Sequence, residues 1–395
     1  MEIFELMAKA KIKRVEINRG ELPLDPRVTQ TTTYPLLREK MNQMGHEKVV
    51  FFYDSVSNLR AIISIHNTKR GPALGGFRQW AYNNEWDAVY DVLRLSRGMT
   101  YKSAAINFPL GGGKAVSWLD TKGKTPAKLK AFGRALLTMN GKFITGEDVG
   151  TTEKDIDFIY DQIKGRTKTP VVICYSKKKG SSGDPSPFTA IGVVEGIKFC
   201  AKYKLKKNKL KGVTVALQGP GNVGFNVAKS LIDQGAKLYI TALHQESIDK
   251  VLAYAKKKKG WVQVVKPDEI YSVKADIFCP CALGAILNPK TIPLLRAKVI
   301  AGSANNQLED EERDCEALLR RGILYAPDYI INAGGLINAG TEAIDRMKGG
   351  KYSVAHVMKT IKLIPKNLKE VFDLSKKKGI CTGKAANMIT DERLR

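Results

Sequence analysis

The apolar, β-branched run Val213–Gln218 is followed directly by Gly219-Pro220-Gly221-Asn222-Val223-Gly224, and a helical spacing of apolar residues continues over 225–234. A buried strand, a tight turn and a helix in that order form the setting in which GxGxxG holds a dinucleotide. In that setting Gly219 makes the turn, Gly221 lets a pyrophosphate approach the backbone, and Gly224 packs helix on strand. The helix start adds unpaired N–H groups and the positive end of the helix dipole. Further strand-like runs at 238–241, 262–265, 276–279, 299–302 and 323–326 alternate with helical stretches. This alternation predicts an α/β chain with a Rossmann-type, doubly wound dinucleotide-binding domain. One expected residue is missing. The second strand of such a domain normally ends in an acid that binds ribose hydroxyls, whereas here it reads Thr241-Ala242-Leu243-His244, with no carboxylate before Glu246. Ala242 leaves room for a 2′-phosphate, with His244 or Lys250 near, so the choice between NAD and NADP stays open.

With 395 residues the chain is too long for one ordinary core, and two domains are expected. The first half has its own concentration of unusual residues: GMTYK at 98–102 and LGGGK at 110–114. The residues between Lys102 and Lys114 are mostly small or apolar, which suits two ammonium groups over one small anion better than a solvated basic face. Glycines 111, 112 and 113 have no Cβ, so the backbone is free to take positive φ and let a ligand approach. Burial and a second cation both disfavour the charged form of a lysine, which suits Lys114 to general-base work. Lys102 would stay charged and hold a carboxylate. The plainer alternative is a glycine-rich turn with an exposed lysine. TGEDVGTT at 145–152 supplies Asp148, either a turn aspartate or a carboxylate relaying protons beside the lysines.

Composition narrows the alternatives. Net charge is +26, with basic runs at 177–179, 206–207, 256–259 and 376–378. These are dispersed, lysine-rich and not interleaved with aromatics, so they suit solubility, weak polyanion binding or steering of anions better than nucleic-acid reading. Six cysteines, at 174, 200, 279, 281, 315 and 381, have no framework spacing, which fits a reducing compartment. Cys279 and Cys281 lack zinc or redox spacing and read as core residues, so no metal site is expected. Four scattered histidines stand beside no obvious nucleophile, which argues against a hydrolase triad. The start, MEIFELMAKAKIKR, is broken by charges before an apolar run develops; neither a signal peptide nor a membrane anchor is expected, and a cytoplasmic location follows.

Along the chain, the polar, proline-interrupted segment 8–43 reads as a surface insertion or arm. Strand patterns follow at 48–54, 59–67 and 114–119, and helical ones at 86–97 and 126–139, the last with Thr125 as N-cap. Residues 164–184, rich in Lys, Gly, Ser and Pro, are the expected interdomain connection.

Taken together, GPALGGFR (71–78), GMTYK, LGGGK, TGEDVGTT, GSSGDPSPFTA (180–190), GPGNVG, DIFCPCALGA (276–285), AGSANNQL (301–308) and YAPDYIINAGGLIN (325–338) resemble the glutamate/leucine/phenylalanine/valine dehydrogenase family, most closely its leucine and phenylalanine branch. The resemblance runs from about Glu47 to the C-terminus. It implies reversible oxidative deamination of a hydrophobic amino acid to a 2-keto acid and ammonia. In it, Lys102 pairs with the substrate carboxylate, Lys114 is the general base and Asp148 shuttles protons. Gly75 and Gly76 contact the substrate main chain, Asn305 and Asn306 lie at nicotinamide and substrate, and Thr189, Gly219, Gly221, Asn222, Val223, Gly224 and Ala282 hold the cofactor. Leu74, Gly146, Leu336 and Ala339 line the side-chain pocket. The small residues at 146 and 339 are expected to widen it for phenylalanine or another large apolar side chain, with leucine second.

The resemblance also implies a homo-oligomer, with an N-terminal α/β substrate and oligomerisation domain (1–182, rejoined by helices 337–395), a dinucleotide domain (183–336) and an active site in the cleft between them. Segment 8–43 and the long basic stretch 164–179 depart from the family pattern. A silent protein of the same fold that binds amino acid or dinucleotide, and a polyanion binder using the basic surface, are the alternatives; neither accounts for Lys102, Lys114 and Asp148 all being present.

Overall fold

The computed structural model describes all 395 residues, which form two compact units. The first comprises Met1–Ala104, Phe108–Asp184 and Ala339–Val354; the second comprises Ala105–Asn107, Pro185–Asn338 and Ala355–Arg395.

In the first unit the order is α1 (Ile3–Ala10), β1 (Arg14–Asn18), α2 (Thr33–Met44), β2 (Lys48–Asp54), β3 (Leu59–Asn67), β4 (Ala73–Leu74), β5 (Phe77–Trp80), α3 (Glu85–Ala105), β6 (Gly111–Trp118), α4 (Pro126–Leu137), β7 (Phe143–Ile144) and α5 (Glu153–Ile163). The sheet runs β1-β2-β3-β6-β4-β7, and β5 also pairs with β6. β2 has apolar residues on both faces and is covered on both: Val50 and Phe52 join a core with Phe132, Ile156 and Ile159, while Val49 and Phe51 join one with α1, α2 and α3.

Two expectations are corrected here. Segment 8–43 is not an arm. Alternate residues Val15 and Ile17 are buried, and β1 pairs antiparallel with β2 from Arg14↔Phe52 to Asn18↔Lys48. Leu37 and Met41, one helical turn apart, are buried in the same core. Buried Glu85 fixes this region by accepting from the N–H groups of Ile3 (2.9 Å) and Phe4 (2.7 Å) and from the Thr33 hydroxyl. Nor is 164–184 a linker. Val171 to Tyr175 are buried, Val172 bridges to Thr145, and the chain leaves the unit only after Asp184.

The second unit has α6 (Ser186–Cys200), β8 (Thr214–Gln218), α7 (Asn222–Asp233), β9 (Lys237–Thr241), α8 (Gln245–Lys258), β10 (Val262–Val264), β11 (Ile277–Pro280), β12 (Val299–Ile300), α9 (Arg313–Arg320), β13 (Leu324–Tyr325) and α10 (Asp328–Ile331). All six expected strands are present, in the order β10-β9-β8-β11-β12-β13, and every pairing is parallel. Strand order reverses at β8, which puts the GPGNVG turn at the switch point where such sheets bind ligands.

The chain ends with α11 (Gly334–Met347), α12 (Val354–Ile361), α13 (Leu363–Lys378) and α14 (Thr382–Leu394). The expected return of 337–395 to the first domain is corrected: only Ala339–Val354 returns. The later helices stay with the parallel sheet because their contacts are there. Phe372 of α13 packs on Phe199 and Tyr203, Tyr329 donates to Asn387 Oδ1 at 2.7 Å, and a Cys315–Cys381 disulfide joins α9 to the start of α14. That bond spans 66 residues, so no local spacing announced it, and the expectation of a reducing compartment from the missing framework spacing did not foresee this pair.

Two lysine runs also find a local reason. Lys256 to Lys258 and Lys376 to Lys378 occupy the last turns of α8 and α13, where cations complement the helix dipole. No helix is long and apolar enough to cross a membrane.

Candidate active site

Lys114 lies in β6, where a strand side chain is held by pairing on both sides; β3 and β5 flank it. Its side chain is only 6% exposed, and Nζ donates to Asp148 Oδ1 at 2.7 Å. The other Asp148 oxygen accepts from Arg78 Nε at 3.0 Å. Burial works against the Asp148 charge, but Lys114 and Arg78 outweigh it and hold the carboxyl below the usual range. The Asp148 turn is itself fixed, since its N–H donates to Thr151 Oγ1 (2.9 Å) and the Thr151 hydroxyl is within 3.0 Å of the Phe77 carbonyl. Lys102 stands in the last turn of α3. A Cβ on Gly112 would collide with the Thr100 backbone, so the turn carrying Lys102 lies against the strand segment carrying Lys114.

The glycines act differently from the expectation. Glycines 111, 112 and 113 are in a strand and none has positive φ. Added Cβ atoms would meet the Asn67 carbonyl, Thr100 and the Phe143 ring respectively, so these glycines bring protein backbone together. Gly75 and Gly76, between β4 and β5, are equally enclosed: a Cβ on Gly75 would strike the Gly113 carbonyl, and one on Gly76 would lie 2.7 Å from Asp148 Cβ. Gly76 thus makes room for Asp148. At Gly146 a Cβ would meet the Ile173 carbonyl at 3.2 Å and Cys174 Cβ at 3.3 Å, so the space left by that glycine is filled by Cys174 rather than left open. Leu74 is buried in β4, while Ala339, in α11, is partly exposed.

In the second unit the GPGNVG turn shows three distinct glycine environments. Gly219 has φ +84° and abuts Ala282, whose Cβ lies 2.5 Å from where a Gly219 Cβ would be. Gly224 backs onto the Gly219 carbonyl and Cys281. Gly221 has nothing within 4 Å of its Cβ direction, and it and Asn222 are exposed at the start of α7. An exposed helix start with an open glycine fits a pyrophosphate. Val223 follows in the first turn of α7, and Thr189 lies in the first turn of α6, its hydroxyl on the Pro185 carbonyl at 3.1 Å. Asn305 accepts from Asn332 Nδ2 at 2.8 Å, and the Asn306 carbonyl accepts from Ala285 N–H at 2.7 Å; Leu336 is buried near the start of α11. Beyond β9, Leu243 is exposed and Glu246 is paired with Lys250 at 2.8 Å, so no carboxylate caps that strand.

Gly221→Ala separates binding from folding. With φ −75° and open space, the alanine should leave the melting temperature unchanged while placing a methyl against the phosphate, weakening dinucleotide binding about tenfold or more. Gly224→Ala, by contrast, should lower the melting temperature, because its methyl has no room. Calorimetric titration and thermal melts of both variants check this.

The site also includes residues that sequence reading passed over. Arg78 shows in the sequence only as the end of GPALGGFR, and its partner Asp91 sits in α3 with no motif around it. Arg78 Nη1 reaches Asp91 Oδ2 at 2.9 Å, and the Tyr82 hydroxyl donates to the same oxygen at 2.7 Å.

Comparison with known proteins identifies the family. Residues 46–165 match the family model described as "Glu/Leu/Phe/Val dehydrogenase, dimerisation domain", and residues 180–395 match "Glutamate/Leucine/Phenylalanine/Valine dehydrogenase". The chain is 47% identical over 355 residues to a leucine dehydrogenase of Geobacillus stearothermophilus, covering 90% of this chain and 92% of that one. It is 45% identical over 344 residues to a phenylalanine dehydrogenase of Lysinibacillus sphaericus, covering 87% of each. The crystal structure of L-tryptophan dehydrogenase from Nostoc punctiforme superposes with a TM-score of 0.76 at 41% identity, covering 91% of this chain and 98% of that one. On two matched domains and full-length relatives, the chain belongs to the Glu/Leu/Phe/Val dehydrogenase family.

Proposed function

We propose that the protein catalyses the reversible, nicotinamide-dependent oxidative deamination of a hydrophobic L-amino acid to the 2-keto acid and ammonia. The observation that carries this reading is the buried Lys114–Asp148 pair at 2.7 Å, on a sheet whose glycines crowd protein around it. A bound nicotinamide would accept hydride from Cα. The rest is done by the chain. Lys102 holds the substrate carboxylate and Lys114 takes a proton from the water that attacks the imine carbon. Asp148, ionised beside Arg78, orients Lys114 and relays to solvent the proton that Lys114 has taken.

Gly219, Gly221, Asn222, Val223, Gly224, Thr189, Ala282 and Asn305 are proposed to hold the dinucleotide; Gly75, Gly76, Leu74, Gly146, Asn306, Leu336 and Ala339 are proposed to surround the amino acid. The match of 46–165 to a dimerisation domain supports a homo-oligomer. With Cys174 filling the space beside Gly146, the case for a large substrate side chain rests on Ala339. Ala242 leaves both cofactors in play.

Absorbance at the reduced-nicotinamide band, with phenylalanine and leucine each tested against NAD and NADP, tests the reading. We expect turnover, with kcat/KM for phenylalanine about tenfold above that for leucine. No turnover with any hydrophobic amino acid would overturn the activity; a preference for leucine would overturn only the pocket assignment.

A further inference from the structure

We propose that Arg78 is a positioning residue for Lys114: through Asp148 it controls how tightly Lys114 holds its proton, and Asp91 controls how much of the Arg78 charge reaches Asp148. This rests on the reading of Lys114 as the general base. The geometry is a row of alternating charges, Lys114, Asp148, Arg78 and Asp91, closed by the Tyr82 hydroxyl. Each link is at hydrogen-bond distance, and the four charged side chains are between 6% and 27% exposed, so their fields are only partly screened.

A carboxylate facing a lysine stabilises the ammonium form, which is the wrong form for a base. Arg78 sits on the opposite oxygen of that carboxylate and so offsets part of its field at Lys114. Asp91 accepts from Arg78 Nη1 through both oxygens (3.2 and 2.9 Å) and so limits this effect. Trp118 Nε1 on the Tyr82 carbonyl (2.8 Å) anchors the far end. Lys102 and Glu147 are the other ionisable groups to consider, Glu147 interacting with Asp148, Asp184, Glu153 and Asp155. All of these stay unchanged in the variants below.

A simple strut would hold Asp148 in place without setting protonation. The two ideas part in the sign of the response. Removing the Arg78 charge leaves Lys114 facing an undiluted anion, so its proton is held to higher pH. Removing the Asp91 charge frees more of the Arg78 field, so the proton is lost at lower pH.

The test is pH-dependent competitive labelling with acetic anhydride, read at Lys114 by mass spectrometry, alongside kcat/KM against pH, for the wild type, Arg78→Met, Arg78→Lys and Asp91→Asn. We expect the labelling midpoint and the acid limb to rise by roughly 0.5–1 pH unit in Arg78→Met, to recover in part in Arg78→Lys, and to fall in Asp91→Asn. Unmoved midpoints, or shifts of the same sign in Arg78→Met and Asp91→Asn, would overturn the proposal. Should Arg78→Met fail to fold, the downward shift in Asp91→Asn decides. Labelling needs no turnover, so an inactive wild type would count against the dehydrogenase reading and leave the labelling result to judge Arg78.

Discussion

Lys114→Ala is expected to fold, to bind dinucleotide as the wild type does, and to lose about 10²–10⁴-fold in kcat, the range associated with removing a general acid–base group. Folding should survive because Asp148 keeps its second cation, Arg78, at 3.0 Å, so truncation does not strand a buried charge. Dinucleotide binding should survive because the GPGNVG turn belongs to the other unit. The loss should fall on kcat more than on KM, since the proposed hold on the substrate carboxylate is Lys102 and that residue is untouched. Asp148→Asn should be less severe than Lys114→Ala if the carboxylate only orients the lysine, and as severe if it also carries the proton. Steady-state kinetics with circular dichroism and a dinucleotide titration read all three quantities. A drop in kcat below tenfold would remove Lys114 from the chemistry.

The sequence was informative where a residue's reason is local. GPGNVG between strand and helix, the alternation of six strands and the Thr125 cap are all set by neighbours in the chain, and they appear as expected. Lys114 and Asp148 stand out because each sits in an unusual local setting, and the fold brings them to 2.7 Å. What escaped depends on distant partners. Polar residues 8–43 become part of the sheet because β2 has an open edge and Glu85 waits for the N–H groups of α1. Helices 355–395 go to the second unit because of Phe372 and Cys381, whose partners lie far back in the chain. A glycine run points to what a ligand could approach, but a missing Cβ serves equally well to admit protein backbone, and periodicity cannot tell the two apart.

His46 and His66 are the other feature that only the fold discloses, and they predict an unusual sensitivity to mild acid. Their rings meet edge to face with centroids 4.7 Å apart, in buried positions 0% and 5% exposed. His46 Nε2 lies 2.9 Å from the Leu93 carbonyl, and His66 Nε2 lies 2.9 Å from the Met44 carbonyl, which places the single proton of each neutral ring on Nε2. His66 Nδ1 is then free to accept from the Thr100 hydroxyl at 2.9 Å, on the helix that carries Lys102. Burial, above all, pushes His46 down to about 3 and His66 down to about 4 from an ordinary 6.5. The direction of the effect follows. Between the ordinary and the depressed values the unfolded chain binds protons that the native chain refuses, so stability falls as pH falls below about 6.5. By pH 5 each ring should cost about 2 kcal/mol. The carboxylates held low by ion pairs, such as Asp148 and Asp276, weaken the fold only at more acidic pH, so they do not blur this window. Glu85 and Glu147, raised by burial, take up protons in the native state as pH drops and make the slope shallower. Urea melts at pH 7 and pH 5 should therefore differ by several kcal/mol, and the difference should shrink in His46→Gln/His66→Gln even if that variant is less stable at pH 7. An equal pH slope in the double variant would mean that the rings are hydrated and titrate normally.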